Sequence, residues 1–263
     1  MLMTRDVLEL LDAIAPFAIA DDWDNSGLQA GNLNWEVKKM IIGLDVSMDL
    51  MNAAQKGNCD LVLTHHPLMI HPEKSIDFSK MPGSVIEMAA SNKISIISVH
   101  TNLDKANNGL NDYFAEKIGI RETRPFLTDE VPGTGRIGTL ESQIPLQQLV
   151  LNIKKQLNLN YLRVTGPMDL PIRSVAVCTG SGGSLLDEFL ASRADAYITG
   201  DIKYHEARRI EEVSRALIDV GHFSSEHMVV ELLFEKLSQV VVNAGLNIEI
   251  EQYKKEKDPF TIV

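Results

Sequence analysis

His65 and His66 stand side by side where the apolar run Leu61-Val62-Leu63-Thr64 stops short of Pro67. Imidazole is the side chain best suited to hold a first-row transition metal near neutral pH, so the pair points to metal chemistry. Two further apolar runs end in ligand-type residues. Ile94–Val99 leads into His100-Thr101-Asn102-Leu103-Asp104, and Ala216–Val220 leads into Gly221-His222-Phe223-Ser224-Ser225-Glu226. His65, His66 and His222 with Asp104 and Glu226 make three imidazoles and two carboxylates. That set suits two divalent cations drawn from Zn, Fe, Mn or Co, because a carboxylate can bridge two ions and leave a coordination position for water. Glu226 is the bridging candidate. Taken singly, each residue has a plainer reading: Asp104 as a helix N-cap, Glu226 as an acidic residue near a helix start, one histidine packed beneath a loop. A histidine four residues before each carboxylate, at matching places in the chain, favours the metal reading. His100 stays outside the ligand set as a catalytic or substrate-contacting residue, and Asp201 is placed to hydrogen-bond a ligand histidine.

The elements that would carry these residues repeat. Thr4 is placed to cap an amphipathic helix with Val7, Leu8, Leu10, Leu11 and Ile14 on one face, followed by the polar turn Trp23-Asp24-Asn25-Ser26-Gly27-Leu28. A strand over Lys39–Asp45, a helix opened by Ser47, the strand ending in His65-His66, a long excursion from Leu68 to Pro82, a helix and the Ile94 strand follow. After a Pro- and Gly-containing connection at residues 121–135 the pattern returns. It runs through a helix from Pro145, an extended Tyr161–Val164, and strands at Ser174–Cys178, Ala194–Thr199 and Ala216–Val220, each of the last three followed by a helix. Each half thus reads as a helix, a strand and three strand–helix units, which demands a largely parallel α/β sheet with helical crossovers. The predicted domains are an N-terminal α/β lobe, residues 1–125, and a C-terminal lobe, residues 126–263, that repeats it. Leu63-Thr64-His65-His66 then aligns with Ile198-Thr199-Gly200-Asp201, and His100/Asp104 with His222/Glu226. The fold class is a duplicated α/β architecture with mostly parallel mixed sheets, and a dinuclear metal site in the crevice where the strand ends of the two repeats meet.

Bulk properties narrow the function classes. The chain has 263 residues, 44% of them hydrophobic, and its 25 Lys and Arg against 36 Asp and Glu give a net charge of −11. That balance argues against bulk nucleic-acid binding or an anionic membrane surface. Cys59 and Cys178 suggest neither a disulfide framework nor a Cys-rich zinc site. With no signal-like N-terminus and no apolar run near the roughly 18 residues of a membrane span, the expected location is cytoplasmic. Gly133-Thr134-Gly135-Arg136-Ile137-Gly138 fits a dinucleotide-binding spacing but precedes a strand-like segment, so it reads as a turn. Thr179–Ser184, between a strand and a helix, reads either as a glycine-rich helix entry or as an anion-holding nest, and Lys203, Tyr204, His205 and Arg136 are candidate substrate contacts. His71 and His227 read as ordinary loop and surface histidines.

Five ordered stretches resemble the type 2 GTP cyclohydrolase I-like, or Nif-three-like, family over nearly the whole chain. They are Trp23–Leu28, Thr64-His65-His66-Pro67-Leu68, His100–Asp104, Thr199-Gly200-Asp201 and Gly221-His222 with Glu226. The resemblance implies two intertwined α/β repeats, often assembled as a homohexameric ring. It also implies a dinuclear centre in which His66 and Asp104 hold one ion, His65 and His222 the other, and Glu226 bridges them. Its name implies attack of a metal-bound hydroxide on C8 of a GTP-like purine nucleotide with release of formate. Met69-Ile70-His71-Pro72 departs from the pattern of the family, which more often has an aromatic there. Another metal-dependent hydrolysis, such as phosphoester cleavage, and a non-enzymatic metal-binding regulatory or interaction protein are the alternatives.

Overall fold

The computed structural model describes residues 1–126 and 133–262. Contacts divide the chain into two units, Met1–Ala106 with Val229–Lys257, and Asn107–Met228 with Asp258–Val263. The division falls after residues 106 and 228, whereas the sequence reading puts a single boundary after residue 125.

The first unit begins with α1 (Thr4–Ile14), β1 (Gly27–Ala30), β2 (Lys39–Gly43), α2 (Met48–Lys56), β3 (Leu61–Thr64), α3 (Gly83–Asn92), β4 (Ser95–Ser98) and α4 (Thr101–Lys105). Thr4 is not the cap of α1. Met3 takes that position, its N–H bonding the Asp6 carboxylate at 2.7 Å, while the Thr4 hydroxyl is buried 2.9 Å from that of Ser95. A buried hydroxyl needs a partner, and Ser95 supplies one. Ser47 does cap α2, accepting from the N–H of Leu50 at 3.1 Å. Strands β2, β3 and β4 are parallel and β1 is antiparallel to β4. All four residues of β3 are buried, as its continuous apolar run requires of a strand covered on both faces. Leu50, Met51 and Val85 cover one face.

The second unit contains α5 (Leu110–Lys117), β5 (Arg121–Pro125), β6 (Arg136–Pro145), α6 (Leu146–Gln156), β7 (Arg163–Thr165), β8 (Pro171–Ser181), α7 (Leu186–Ala191), β9 (Ala196–Gly200), α8 (Tyr204–Glu212), β10 (Ala216–Asp219) and α9 (His222–Glu226). Its sheet order is β5-β6-β8-β9-β10-β7, with β8, β9 and β10 parallel and β6 and β7 antiparallel to their neighbours. Phe114, Leu146, Leu149 and Ile153 pack one face of the sheet, and Phe189 and Ile210 the other. Of the connection expected at residues 121–135, Arg121–Pro125 is a strand and residues 127–132 lie outside the described residues. Gly133 to Gly135 lead directly into β6, so the GxGxxG spacing opens a strand and not a helix.

The chain ends with α10 (Val229–Ala244) and β11 (Glu249–Gln252), which belong to the first unit and complete its sheet in the order β1-β4-β3-β2-β11. The first unit thus runs β1-β4-β3-β2, and the second runs β7-β10-β9-β8 in the same sense. One small device occurs in both. Asp60, just before β3, accepts the N–H groups of Lys38 and Lys39 at 2.8 and 3.0 Å, and Asp195, just before β9, accepts those of Arg173 and Ser174 at 2.8 Å each. Among the described residues no helix is long and apolar enough to cross a membrane.

Candidate metal centre

In the first unit β3 delivers His65 and His66 directly, as a buried strand halted before a proline should. The backbone there is held firmly. The N–H of His66 bonds to Leu44 O at 3.0 Å, and its carbonyl accepts the hydroxyls of Thr64 and Ser98 at 2.8 and 3.1 Å. The neighbouring strand β4 ends beside it and delivers His100, which is the N-cap residue of α4. The three rings form a triangle, with centroids 5.1 Å apart for His65–His66, 5.1 Å for His65–His100 and 5.6 Å for His66–His100. One nitrogen from each lies within 4.8 Å of the other two. Asp104 is inside α4, not at its cap, and its Oδ1 lies 3.8 Å from His65 Nε2.

In the second unit β10 leads through Gly221 into the single helical turn α9, which holds both His222 and Glu226. Glu226 therefore closes that turn; it does not open the following helix. The i, i+4 spacing puts the two on one side, with His222 Nε2 2.8 Å from Glu226 Oε2. Two glycines make room for them. A Cβ on Gly180 would fall 2.1 Å from Glu226 Oε1, and one on Gly200 would fall 2.7 Å from the backbone nitrogen of His222. The end of β8 is pinned to α9 where the Gly180 N–H donates to Ser225 Oγ at 2.9 Å. Gly180, in the stretch expected to form an anion nest, thus makes room for a buried carboxylate.

A common feature bears directly on metal binding. His65 donates its Nδ1–H to Val99 O at 2.8 Å, His66 to Asp45 at 2.7 Å, His100 to Asp24 at 2.8 Å and His222 to Asp201 at 2.7 Å. Each acceptor fixes one tautomer and leaves Nε2 as the ring nitrogen that carries the lone pair. Ligand histidines are held in this way by a carbonyl or carboxylate behind the ring. These donor types, imidazole nitrogens with carboxylate oxygens, fit a borderline divalent cation. Asp201 is in the role expected of it. Asp24 and Asp45 were not singled out, although Asp45 closes the β2 run and Asp24 lies in the Trp23–Leu28 stretch.

The Asp24 side chain is wholly buried. Burial pushes its carboxyl pKa up, but hydrogen bonds from His100, Ser26 and Thr101 outweigh that and hold it well below the usual carboxylate range. Trp23 lies edge-on to His100 at 5.9 Å and is 56% exposed. Arg136 is buried, donating to Asp112 at 2.8 Å and to the carbonyls of Gly133, Thr134 and Gly135, because a buried guanidinium must satisfy its donors locally; it is not a substrate contact. Lys203 is the N-cap of α8, and Tyr204 and His205 open that helix with Tyr204 exposed. His71 is exposed, and His227 stacks on Phe223 at 4.6 Å.

Comparison with known proteins places these features in context. The family model described as Duf34/NIF3 (NGG1p interacting factor 3) matches residues 2–259. A protein of Clostridium acetobutylicum named GTP cyclohydrolase 1 type 2 homolog is 31% identical over 263 residues, covering 98% of each chain. A Helicobacter pylori protein named GTP cyclohydrolase 1 type 2 is 32% identical over 230 residues, covering 86% of this chain and 88% of its own. The crystal structure of a Staphylococcus aureus hypothetical protein superposes with a TM-score of 0.93 at 25% identity, covering 99% of both chains.

Proposed function

Since the chain belongs to the Duf34/NIF3 family, we propose that it is a dinuclear metal-dependent hydrolase of the GTP cyclohydrolase 1 type 2 kind. The observation that carries this reading is the set of four histidines whose Nδ1–H groups are each tied to an oxygen acceptor. His65, His66, Asp104, His222 and Glu226 would hold two divalent cations jointly, with Glu226 as the bridge. Bound there, the cations would supply Lewis acidity and make water a nucleophile near neutral pH. The protein's own share is positioning and proton transfer. Val99 O, Asp45 and Asp201 hold the ligand imidazoles in the Nδ1–H form, while His100 and Glu226 are the groups that exchange protons with the reactants.

The proposed substrate is a GTP-like purine nucleotide, opened at C8 of its imidazole ring with release of formate. The names of the relatives at 31 and 32% identity support this choice. The reading includes an internal duplication, supported by the shared strand order and by the paired Asp60 and Asp195 devices. A cytoplasmic homohexameric ring belongs to the same proposal. The test is formate release from GTP by the protein supplemented in turn with Zn, Mn, Co and Fe(II). Formate formed by the wild type and lost in Glu226→Gln supports the reading. Cleavage of a phosphoester probe without formate, or no turnover with any metal, contradicts the proposed chemistry.

A further inference from the structure

The Trp23–Leu28 stretch has a role that the metal-ligand set does not explain. Each of its polar side chains reaches a different part of the first unit. Asn25 donates to Met69 O at 2.7 Å, Ser26 lies 3.0 Å from Asn102 Oδ1, and Asp24 turns inward to His100. Asp24 gathers an unusual number of donors for one carboxylate. Besides the His100 ring at 2.8 Å it accepts the Ser26 hydroxyl at 2.6 Å, the Thr101 hydroxyl at 2.7 Å, the Asn25 N–H at 2.8 Å and the Thr101 N–H at 3.2 Å.

Such a site is costly to assemble, because burying a carboxylate is unfavourable unless its oxygens are fully hydrogen-bonded. The contrast with the other carboxylates behind histidines is informative. The Asp45 and Asp201 side chains are 58% and 47% exposed, whereas that of Asp24 is 0% exposed. The most elaborately built of these carboxylates therefore serves the one histidine outside the proposed ligand set. A buried carboxylate behind an imidazole does two things: it selects the tautomer, and it stabilises the imidazolium that forms when the far nitrogen takes a proton.

We propose that Asp24 is a positioning residue that fixes His100 as the Nδ1–H tautomer and so presents the Nε2 lone pair beside His65 and His66. The use of that lone pair in the reaction rests on the hydrolase reading above; the pairing of Asp24 with His100 does not.

The test is long-range 15N–1H correlation of the histidine rings in the full chain, 15N-labelled at histidine, at about pH 8.5 with Zn2+ added, using His100→Gln to assign the signal. In the wild type the His100 proton is expected on Nδ1. In Asp24→Asn the side-chain amide can donate to Nδ1, and the protonated and unprotonated signals of the ring are expected to exchange places. Thr101→Val removes the hydroxyl bond to the same carboxylate and is expected to lower stability while leaving the proton on Nδ1, a separation that a merely structural role for Asp24 does not produce. A wild-type His100 protonated at Nε2 overturns the proposal, and so does an Asp24→Asn ring unchanged from wild type. Should Asp24→Asn fail to fold, the wild-type spectrum still decides against or for it. Bound metal counted on the same protein after supplementation in turn with Zn, Mn, Co and Fe(II) separates the two readings, since an Nδ1–H His100 in a protein that binds none of them upholds the pairing and ends the dinuclear hydrolase.

Discussion

The Glu256 carboxylate accepts the backbone N–H of Leu44 at 2.9 Å and that of Asp45 at 3.0 Å, so a residue near the C-terminus holds the turn that follows β2. That turn is the one from which Asp45 reaches His66 Nδ1 at 2.7 Å. Glu256→Ala should therefore destabilise the first unit by about 1–2 kcal/mol, the scale of lost charge-assisted hydrogen bonds. The urea midpoint should fall with little change in slope, and Glu256→Gln, which keeps an acceptor oxygen, should fall less.

The carboxylates behind His66 and His222 should matter for metal binding more than for folding, because both are partly exposed. Asp45→Ala and Asp201→Ala are each expected to weaken divalent-cation binding about 10–100-fold while leaving thermal stability without added metal nearly unchanged. Competition with a chromophoric chelator measures the first, and a thermal melt in chelator the second.

Gly180 has φ +63°, and a Cβ there would lie 2.1 Å from Glu226 Oε1. Gly180→Ala combines an unfavourable left-handed backbone with a displaced carboxylate. It should cost more than about 1 kcal/mol and also lower metal content, whereas Gly119→Ala, with nothing within 4 Å, should show only the backbone cost.

Burial pushes the Cys59 thiol up to about 11; nearby Glu251 adds to the rise and Lys39 opposes it. The unfolded thiol loses its proton near pH 8.5, so as pH rises from about 8.5 towards that native value the unfolded state is increasingly favoured. This contribution is fully present below that window. Denaturation of the wild type across it should show a steeper loss of stability than Cys59→Ala, and the native thiol should react slowly with an alkylating reagent at pH 8.

Much of this was legible because the residues concerned are local to their elements. The run Leu61–Thr64 before His65-His66, the His-x-x-x-acid spacing at His100/Asp104 and His222/Glu226, and the alternation of strand and helix are all patterns within a few residues. Asp201 behind His222 was within reach because it directly follows a strand end. What escaped depends on distance or polarity. β5 reads Arg-Glu-Thr-Arg-Pro and is a charged edge strand with too little apolar pattern to betray itself, and β11 is similarly acidic. Glu256 finds Leu44 across 212 positions of sequence, a pairing no local pattern encodes. Thr4 looked like a cap because hydroxyls usually sit there, but burial against Ser95 decided its role.

The most direct test of the central claim is the metal content of protein purified without added metal and without a histidine tag, measured by mass spectrometry beside His65→Ala and Glu226→Ala. About two equivalents of divalent metal per chain are expected in the wild type, with a fall in both variants. A wild-type chain that binds no divalent cation even after supplementation, or variants that retain the full complement, would contradict it.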